Sequence, residues 1–224
     1  MAEPPARPHE RRRTAVLISG RGSNLRALIE ACARPDAPAS IELVVSNRAD
    51  AAGLKAAVAA GIATRVIDQR AHETREDFEH AIHEALQVSD IQLVCLAGFM
   101  RVLSPWLVER WRDRLLNVHP SLLPAFRGLD THRRVLEAGV RFSGCTVHFV
   151  RAEVDAGPII VQGVVPVLRD DTEERLAARV LQVEHRCYPL ALDLVASGRA
   201  RVDGERVLID GAQAPTTALI NPAG

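Results

Sequence analysis

Short apolar runs rich in Val, Ile and Leu alternate with longer amphipathic stretches from Thr14 onward. This alternation is typical of a parallel sheet, because the chain crosses back over the sheet through a helix before the next strand begins. The strands predicted in this half are 15–19, 41–46, 63–67, 92–97 and 115–119, with helices at about 24–33, 51–60, 74–88 and 104–113. We therefore expect an α/β fold with a Rossmann-like, doubly wound, mostly parallel sheet.

The order of elements changes after residue 140. Strands are predicted at about 144–151 and at 159–166, joined by a loop that contains Gly157. So short a connection favours antiparallel pairing, since parallel strands need a long crossover. A helix at about 172–196 follows, and the dipeptide Asp203-Gly204 between two strand-like runs predicts a terminal hairpin. The C-terminal strands are thus expected to be antiparallel.

One domain is predicted for residues 14–210, because no proline-rich linker interrupts them. Its first half, 14–113, would bind phosphate, and its second half, 114–210, would contain the catalytic residues. Residues 1–13 lack apolar periodicity and are interpreted as a disordered tail, and 211–224 as a flexible tail.

The overall charge argues against a nucleic-acid partner. Lys and Arg total 28, as do Asp and Glu, so no general basic field attracts a polyanion, and the basic run Arg11, Arg12, Arg13 lies in the predicted tail.

No apolar run approaches the roughly 20 residues of a membrane-spanning helix. The four cysteines form no CxxC pair and stand in apolar surroundings, which indicates buried, reduced thiols in a cytoplasmic protein.

The segment Gly20-Arg21-Gly22-Ser23-Asn24 leaves the first strand and opens the first helix. Free backbone N–H groups and the helix dipole attract an anion there, so a phosphate would be bound by this loop. A dinucleotide fingerprint would need a glycine in place of Leu25 and an acidic residue near Ser46, which disfavours NAD. A tight turn with Asn24 as N-cap explains the motif equally well.

Asn117 and His119 end the fifth predicted strand, and strand alternation puts both on one face. Ligands of parallel α/β sheets bind beyond the carboxyl ends of strands, where these two side chains would project. Asp155 lies in a turn-forming loop, and beside His119 its carboxylate would favour the protonated imidazole. His148 alternates with interior residues, which favours a structural role over a supporting hydrogen bond.

Five strings together resemble the folate-dependent glycinamide ribonucleotide formyltransferases, over roughly residues 14–210. The strings are GRGSNL (20–25), LAGFMRVLSP (96–105), LLNVHPSLLPAF (115–126), GCTVHFV (144–150) and VDAGPII (154–160). The resemblance implies the formyltransferase fold. It also implies transfer of the formyl group of 10-formyltetrahydrofolate, a co-substrate, to the amine of glycinamide ribonucleotide in de novo purine biosynthesis. The products would be formylglycinamide ribonucleotide and tetrahydrofolate.

The same resemblance assigns roles to residues. Asn117 would donate to the oxyanion, His119 would stabilise it and act as general acid, and Asp155 would tune His119 and shuttle protons, with no metal. The ribonucleotide would be bound by Gly22, Ser23, Asn24 and Glu184. The folate would be bound by Arg75, Met100, Arg101, Val102, Leu103, Asn117, Val150 and Val154, and the bond Leu123-Pro124 is expected to be cis as in that family.

Several alternatives stay open. A formyl-tetrahydrofolate hydrolase would have a regulatory domain before the phosphate loop, where only 19 residues precede Gly20, and a methionyl-tRNA formyltransferase would have a basic C-terminal domain. A non-catalytic module could bind a phosphorylated metabolite through residues 20–24.

A metal site is a further alternative, because the spacing of His80, His83 and Glu84 is one that a metal could use. Their charged neighbours, Glu79 among them, favour a solvated helix face. Small-molecule substrates are the expected partners, and a homodimer is left open.

Overall fold

The computed structural model describes residues 10–211 and 213–222. The strands are β1 (Arg12–Ile18), β2 (Ala39–Ser46), β3 (Ala63–Val66), β4 (Leu93–Leu96), β5 (Leu115–His119), β6 (Phe142–Phe149), β7 (Ile159–Pro166), β8 (Ala200–Asp203) and β9 (Arg206–Ile209). The helices are α1 (Ser23–Cys32), α2 (Ala52–Ala59), α3 (Arg75–Val88), α4 (Pro105–Arg110), α5 (Thr131–Glu137) and α6 (Glu173–Ala196), with a short 3-10 turn at Gln69–Ala71.

Strands β1 to β7 form one sheet in the order β3-β2-β1-β4-β5-β6-β7. The pairs among β1 to β5 are parallel, whereas β6 and β7 pair antiparallel to their neighbours. Strands β8 and β9 form a separate antiparallel hairpin. The predicted doubly wound sheet and its antiparallel C-terminal strands are confirmed. The winding direction reverses between β1 and β4, and ligands of such sheets bind beyond the carboxyl ends of strands at this point.

Both faces of the sheet are covered by apolar helix surfaces, as the near-continuous apolar strands require. Leu25 and Leu28 of α1 and Leu176 of α6 lie in the core on one face, and Phe78 and Ile82 of α3 lie in the core on the other. The four cysteines are free and buried, as predicted.

Helix α6, at 24 residues, is the longest helix of the described chain and is tied to the sheet by a buried tyrosine. The Tyr188 hydroxyl lies 3.1 Å from the Leu96 carbonyl oxygen and 3.0 Å from that of Leu116, the former ending β4 and the latter in β5. Burial raises the pKa of Tyr188 well above its usual value, so the hydroxyl stays a donor.

Helix ends follow the sequence signals. Ser104 caps α4 by accepting from the backbone N–H of Leu107, and Pro105 occupies the first turn, where its missing N–H costs nothing. Gly61 stands just past α2 with a positive φ of 72°, a conformation that glycine adopts without strain. The Leu123-Pro124 bond is cis, as expected.

One boundary predicted from the sequence is wrong. Strand β1 begins at Arg12, inside the predicted tail, and the Arg11 guanidinium donates to the carbonyl of Pro35 at 2.8 Å, so the tail ends earlier than residue 13. The remainder of that tail, 1–9, lies outside the described residues.

Helix α5 was not predicted at all. Residues 213–222 contain no helix or strand, and the side chain of Asn221 donates to the Arg141 carbonyl at 2.6 Å.

Candidate active site

A cleft of about 660 Å³ opens beyond the carboxyl ends of β4 and β5. Its walls come from the segment after β4, the end of β5, the loop before α5, the β6–β7 loop and one side of α6. The predicted site residues that line it are Asn24, Met100, Arg101, Val102, Leu103, Asn117, His119, Val150, Val154, Asp155 and Glu184. Gly22, Ser23 and Arg75 are not among its lining residues.

Asn117 and His119 are brought to the cleft by β5, and Asp155 lies beside His119. Asp155 lies in the loop between β6 and β7 with a φ of 52°, a left-handed conformation that aspartate tolerates better than most residues. One carboxylate oxygen, Oδ2, lies 3.2 Å from His119 Nδ1 and accepts from the Gly128 N–H at 2.9 Å. The predicted pairing of His119 with Asp155 is therefore present in the structure.

The second ring nitrogen of His119 also faces an acceptor. Its Nε2 lies 2.9 Å from the backbone carbonyl oxygen of Phe126. A carboxylate and a carbonyl both accept hydrogen bonds, so only a doubly protonated ring satisfies the two at once. A substrate oxygen that uses Nε2 has to replace the Phe126 carbonyl.

His148 lies opposite Asn117 in the β5–β6 pairing and fixes the orientation of its amide. The Nδ1 of His148 lies 2.9 Å from the Phe149 carbonyl, which assigns the proton to Nδ1 and leaves Nε2 as an acceptor. That Nε2 lies 3.4 Å from Asn117 Nδ2 and 3.8 Å from Asp155 Oδ1. Burial is the main effect on the pKa of His148 and lowers it, which keeps the ring neutral. One N–H of Asn117 therefore points to His148, and the other is left for a ligand.

The N-terminal end of α1, where the sequence predicts a phosphate site, is built by close backbone packing. Gly22 precedes α1 in a left-handed conformation, and a Cβ atom on it would lie 2.6 Å from the Cα of Gly53. The Gly53 N–H donates to the Gly20 carbonyl at 3.0 Å. Gly22, not Asn24, is the N-cap, and no side chain caps the helix, so the interpretation of Asn24 as N-cap is wrong. The first turn of α1 has no acidic residue, which leaves its N–H groups suited to an anion.

Asn24 and Glu184 meet between α1 and α6 at the edge of the cleft. The Asn24 Nδ2 donates to Glu184 Oε2 at 2.7 Å, whereas Asn24 Oδ1 is buried without a partner in the described chain. Glu184 is only 7% exposed, although helix position alone would suggest a solvated carboxylate. Burial raises the pKa of Glu184, and the hydrogen bond from Asn24 partly offsets this. This pair therefore has hydrogen-bonding capacity left that a ligand in the cleft can use.

The opposite wall of the cleft is largely apolar. Met100 and Val102 expose 68% and 63% of their surfaces, in a segment without helix or strand, and Leu103 beside them is buried. Val150 and Val154 line the cleft as well. A flat heterocycle can be buried among such side chains.

Arg75 does not line the main cleft, but its side chain contacts the backbone of the segment that forms this apolar wall. Its guanidinium donates to the Val102 carbonyl at 2.6 Å and to Glu79 Oε1 at 3.1 Å. With Arg101 it lines a small adjoining pocket of about 240 Å³. The carboxylate of Glu79 is only 1% exposed, so the interpretation of this residue as part of a solvated helix face is wrong.

A family model described as formyl transferase matches residues 12–192. The chain belongs to the formyl transferase family. The resemblance seen in the five sequence strings is therefore confirmed.

Among formyl transferase relatives, the phosphoribosylglycinamide formyltransferase of Escherichia coli (strain K12) is 44% identical over 200 residues, which is 89% of this chain and 94% of that protein. The trifunctional purine biosynthetic protein adenosine-3 of Gallus gallus is 54% identical over 85% of this chain, but the chain spans only 19% of that relative's length. The crystal structure of glycinamide ribonucleotide transformylase 1 from Symbiobacterium toebii matches with a TM-score of 0.87 at 48% identity, covering 89% of this chain and 94% of that one.

Two histidines of this formyl transferase chain were missed by sequence reasoning. His132, in the first turn of α5, lines the cleft, and its Nδ1 is buried without a partner in the described chain. Burial, with a smaller effect of His119, lowers the pKa of His132. His185 follows Glu184 and lines a groove together with Ser23, and its Nε2 also lacks a partner among the residues described. Only adjacency to recognised motifs could have pointed to them.

The metal alternative at His80, His83 and Glu84 finds no support. His80 stacks on Trp106 with ring centroids 4.0 Å apart, and His83 Nδ1 accepts from the Trp111 indole N–H at 3.2 Å. Within residues 10–211 and 213–222, no group of three or more His, Cys, Asp or Glu side chains is arranged to hold a metal ion. Nor does this part of the chain contain a helix with the length and hydropathy to cross a membrane.

Proposed function

We propose that this chain transfers the formyl group of 10-formyltetrahydrofolate to the amine of glycinamide ribonucleotide. The observation that carries the proposal is the convergence of Asn117, His119 and Asp155 on one cleft, between an anion-suited helix end and an apolar wall. The names of the relatives in E. coli and S. toebii support the same substrate.

The ribonucleotide binds at the α1 end of the cleft. Its phosphate accepts from the backbone N–H groups that follow Gly22, because the helix dipole and the free N–H groups favour an anion there. Glu184 accepts from the ribose hydroxyls, and the side chains of Ser23 and Asn24 add hydrogen bonds. This arrangement leaves the glycinamide amine directed toward Asn117 and His119.

The folate binds at the opposite wall. Its pteridine lies against Met100, Val102 and Leu103, with Val150 and Val154 on the other side, because these side chains give an apolar slot in the cleft. The benzoylglutamate tail leaves toward the small pocket of Arg75 and Arg101, whose guanidinium groups attract its carboxylates. Folate is a co-substrate here, and no step in the reaction requires a metal.

The reaction is a direct transfer between two bound nitrogen atoms. The amine attacks the formyl carbon, a new C–N bond forms, and the formyl oxygen becomes an oxyanion. Asn117 donates its free N–H to this oxygen, and His119 donates from Nε2 after the Phe126 carbonyl has been displaced. The bond from the carbon to N10 of the folate then breaks. The amine nitrogen loses a proton and N10 gains one, through water and Asp155.

Positioning accounts for much of the expected rate. Two amines and a formyl group held in line react without the loss of freedom that a bimolecular encounter requires. His148 contributes by holding the Asn117 amide in one orientation. Four buried, free cysteines suit a reducing compartment, and we place the reaction in the cytosol on that ground.

The test mixes purified protein with 10-formyltetrahydrofolate, with and without glycinamide ribonucleotide, and follows formation of tetrahydrofolate by absorbance. We expect product only with the amine present, and a loss of kcat of about 10²- to 10⁴-fold in His119→Ala, the range for a positioned acid–base group. His80→Ala is the matched control, since this histidine is exposed and packs on Trp106 away from the cleft.

Three other outcomes count against the proposal. Product without the amine would identify a hydrolase. A folded wild-type protein that forms no product would favour a non-catalytic module binding a phosphorylated metabolite. Full activity in His119→Ala would remove this histidine from the mechanism.

A further inference from the structure

Glu79 is a buried carboxylate that the mechanism above does not use. It lies in the first half of α3, and its side chain accepts from three groups. Arg75 Nε donates to Oε1 at 3.1 Å, the backbone N–H of Ser104 donates to Oε1 at 2.8 Å, and the Ser104 hydroxyl donates to Oε2. A carboxylate with 1% exposure is stable only when its charge is compensated in this way.

The groups that Glu79 contacts also hold the apolar wall of the cleft. The segment 100–104 lacks helix and strand and is fixed by three side chains. At its start, the Met100 N–H donates to Ser19 Oγ at 2.9 Å. In its middle, Arg75 donates to the Val102 carbonyl at 2.6 Å, and at its end Glu79 accepts from Ser104. Glu79 makes the contact with Ser104 directly, and it orients Arg75 for the hydrogen bond to the Val102 carbonyl.

We infer that Glu79 is a positioning residue for the folate: it sets the backbone of 100–104 and, with it, the side chains against which the folate lies. This inference rests on the proposed function for the identity of the ligand. Glu79 borders the small pocket of Arg75 and Arg101 but does not line the main cleft, so it acts on the apolar wall through Arg75 and Ser104.

A purely structural role predicts something different. If Glu79 only docked α3 onto α4, its removal would lower the unfolding temperature and affect both substrates alike, or neither. A positioning role affects one substrate, because the ribonucleotide end is built from α1 and α6, which Glu79 does not contact.

The test measures dissociation constants of tetrahydrofolate and of glycinamide ribonucleotide by titration calorimetry, for wild type, Glu79→Gln, Glu79→Ala and Glu84→Ala. Glu84 is an exposed acid of the same helix and serves as the control. We expect Glu79→Ala to bind tetrahydrofolate about tenfold more weakly, as expected for one lost buried acceptor, with the ribonucleotide constant unchanged within about twofold.

Glu79→Gln sharpens the test because its side-chain carbonyl still accepts from the Ser104 N–H, whereas the charge opposite Arg75 and the acceptor for the Ser104 hydroxyl are lost. Its tetrahydrofolate affinity should lie between wild type and Glu79→Ala. Wild-type folate binding in both variants, an equal loss for both substrates, or failure of both variants to fold would overturn the positioning role. Absence of tetrahydrofolate binding in the wild type would overturn the proposed function and this inference together.

Discussion

Two segments leave neighbouring parallel strands, one next to the cleft and the other lining it, yet they are held in different ways. Residues 20–23 follow β1 and are fixed by backbone packing, with Gly22 against Gly53 and the Gly53 N–H on the Gly20 carbonyl. Residues 98–104 follow β4 and depend on side chains, namely those of Ser19, Arg75 and Glu79.

The difference matches what each segment is proposed to recognise. A phosphate accepts from backbone N–H groups, so the first segment needs close backbone packing and tolerates no side chain where the backbones meet. A pteridine packs against apolar side chains, so the second segment must present them at fixed positions. Substitutions should therefore separate the binding of the two substrates.

Gly22→Ala should have the largest effect. The new Cβ would lie 2.6 Å from the Gly53 Cα, in a backbone conformation with φ of 73° that alanine disfavours. We expect a loss of about 2 kcal/mol in the free energy of unfolding and at least about tenfold weaker ribonucleotide binding, with folate binding spared. Chemical denaturation and calorimetry measure both.

Gly20→Ala is the control for that substitution, since a Cβ there meets nothing within 4 Å. If both variants lost ribonucleotide binding equally, flexibility of the loop and not packing would explain the effect.

Glu184→Gln should have an intermediate effect. Loss of the charge opposite the ribose should raise KM for the ribonucleotide about tenfold, the scale of one charged hydrogen bond, with kcat nearly unchanged. Burial raises the pKa of Glu184 above its ordinary 4.5, so protonation begins at a higher pH than for an exposed glutamate. KM of the wild type should therefore rise as pH falls through that raised pKa.

The pH profile of Glu184→Gln is the decisive measurement for this residue. Because glutamine does not titrate, the acid-side rise in KM should disappear from the variant. A rise that persisted unchanged would assign the titration to another group.

Ser19→Ala should have the smallest effect. It removes one of the three side-chain contacts on residues 98–104, the acceptor for the Met100 N–H. We expect about threefold weaker tetrahydrofolate binding, the net scale of a single neutral hydrogen bond, and no change for the ribonucleotide. Ser143→Ala removes a buried hydroxyl that has no partner in the described chain and serves as the comparison. Equal effects of the two would show that Ser19 is not an anchor.

Much of this fold was predictable because local signals agreed with global ones. The strand runs are bounded by turn residues and cap signals, so β7 was predicted at its observed bounds and α4 at its observed start after Ser104. The positions of Asn117 and His119 followed from strand alternation and from the rule that ligands bind at strand carboxyl ends.

The rest depended on contacts distant in sequence. Helix α5 has seven residues and an N-cap, Asp130, that makes no capping bond, so it lacks a local signal. Arg13 looked like part of a tail, but its guanidinium reaches the Ser89 carbonyl at 3.0 Å. Glu79 could have been recognised, since it lies on the same helix face as Ile82 and Leu86, three and seven residues on.

Tyr188 has a consequence for how the reacting groups move. It lies one turn beyond Glu184, and its hydroxyl contacts β4, which leads into residues 98–104, and β5, which contains Asn117. Thermal displacement of α6 along its axis would therefore shift these strands with it, so the groups proposed as ribose acceptor, oxyanion donor and start of the pteridine wall would fluctuate together. Distances among these three groups would then vary less than their individual positions, which would preserve the proposed alignment of amine and formyl carbon during the displacement of the Phe126 carbonyl that the proposed reaction requires.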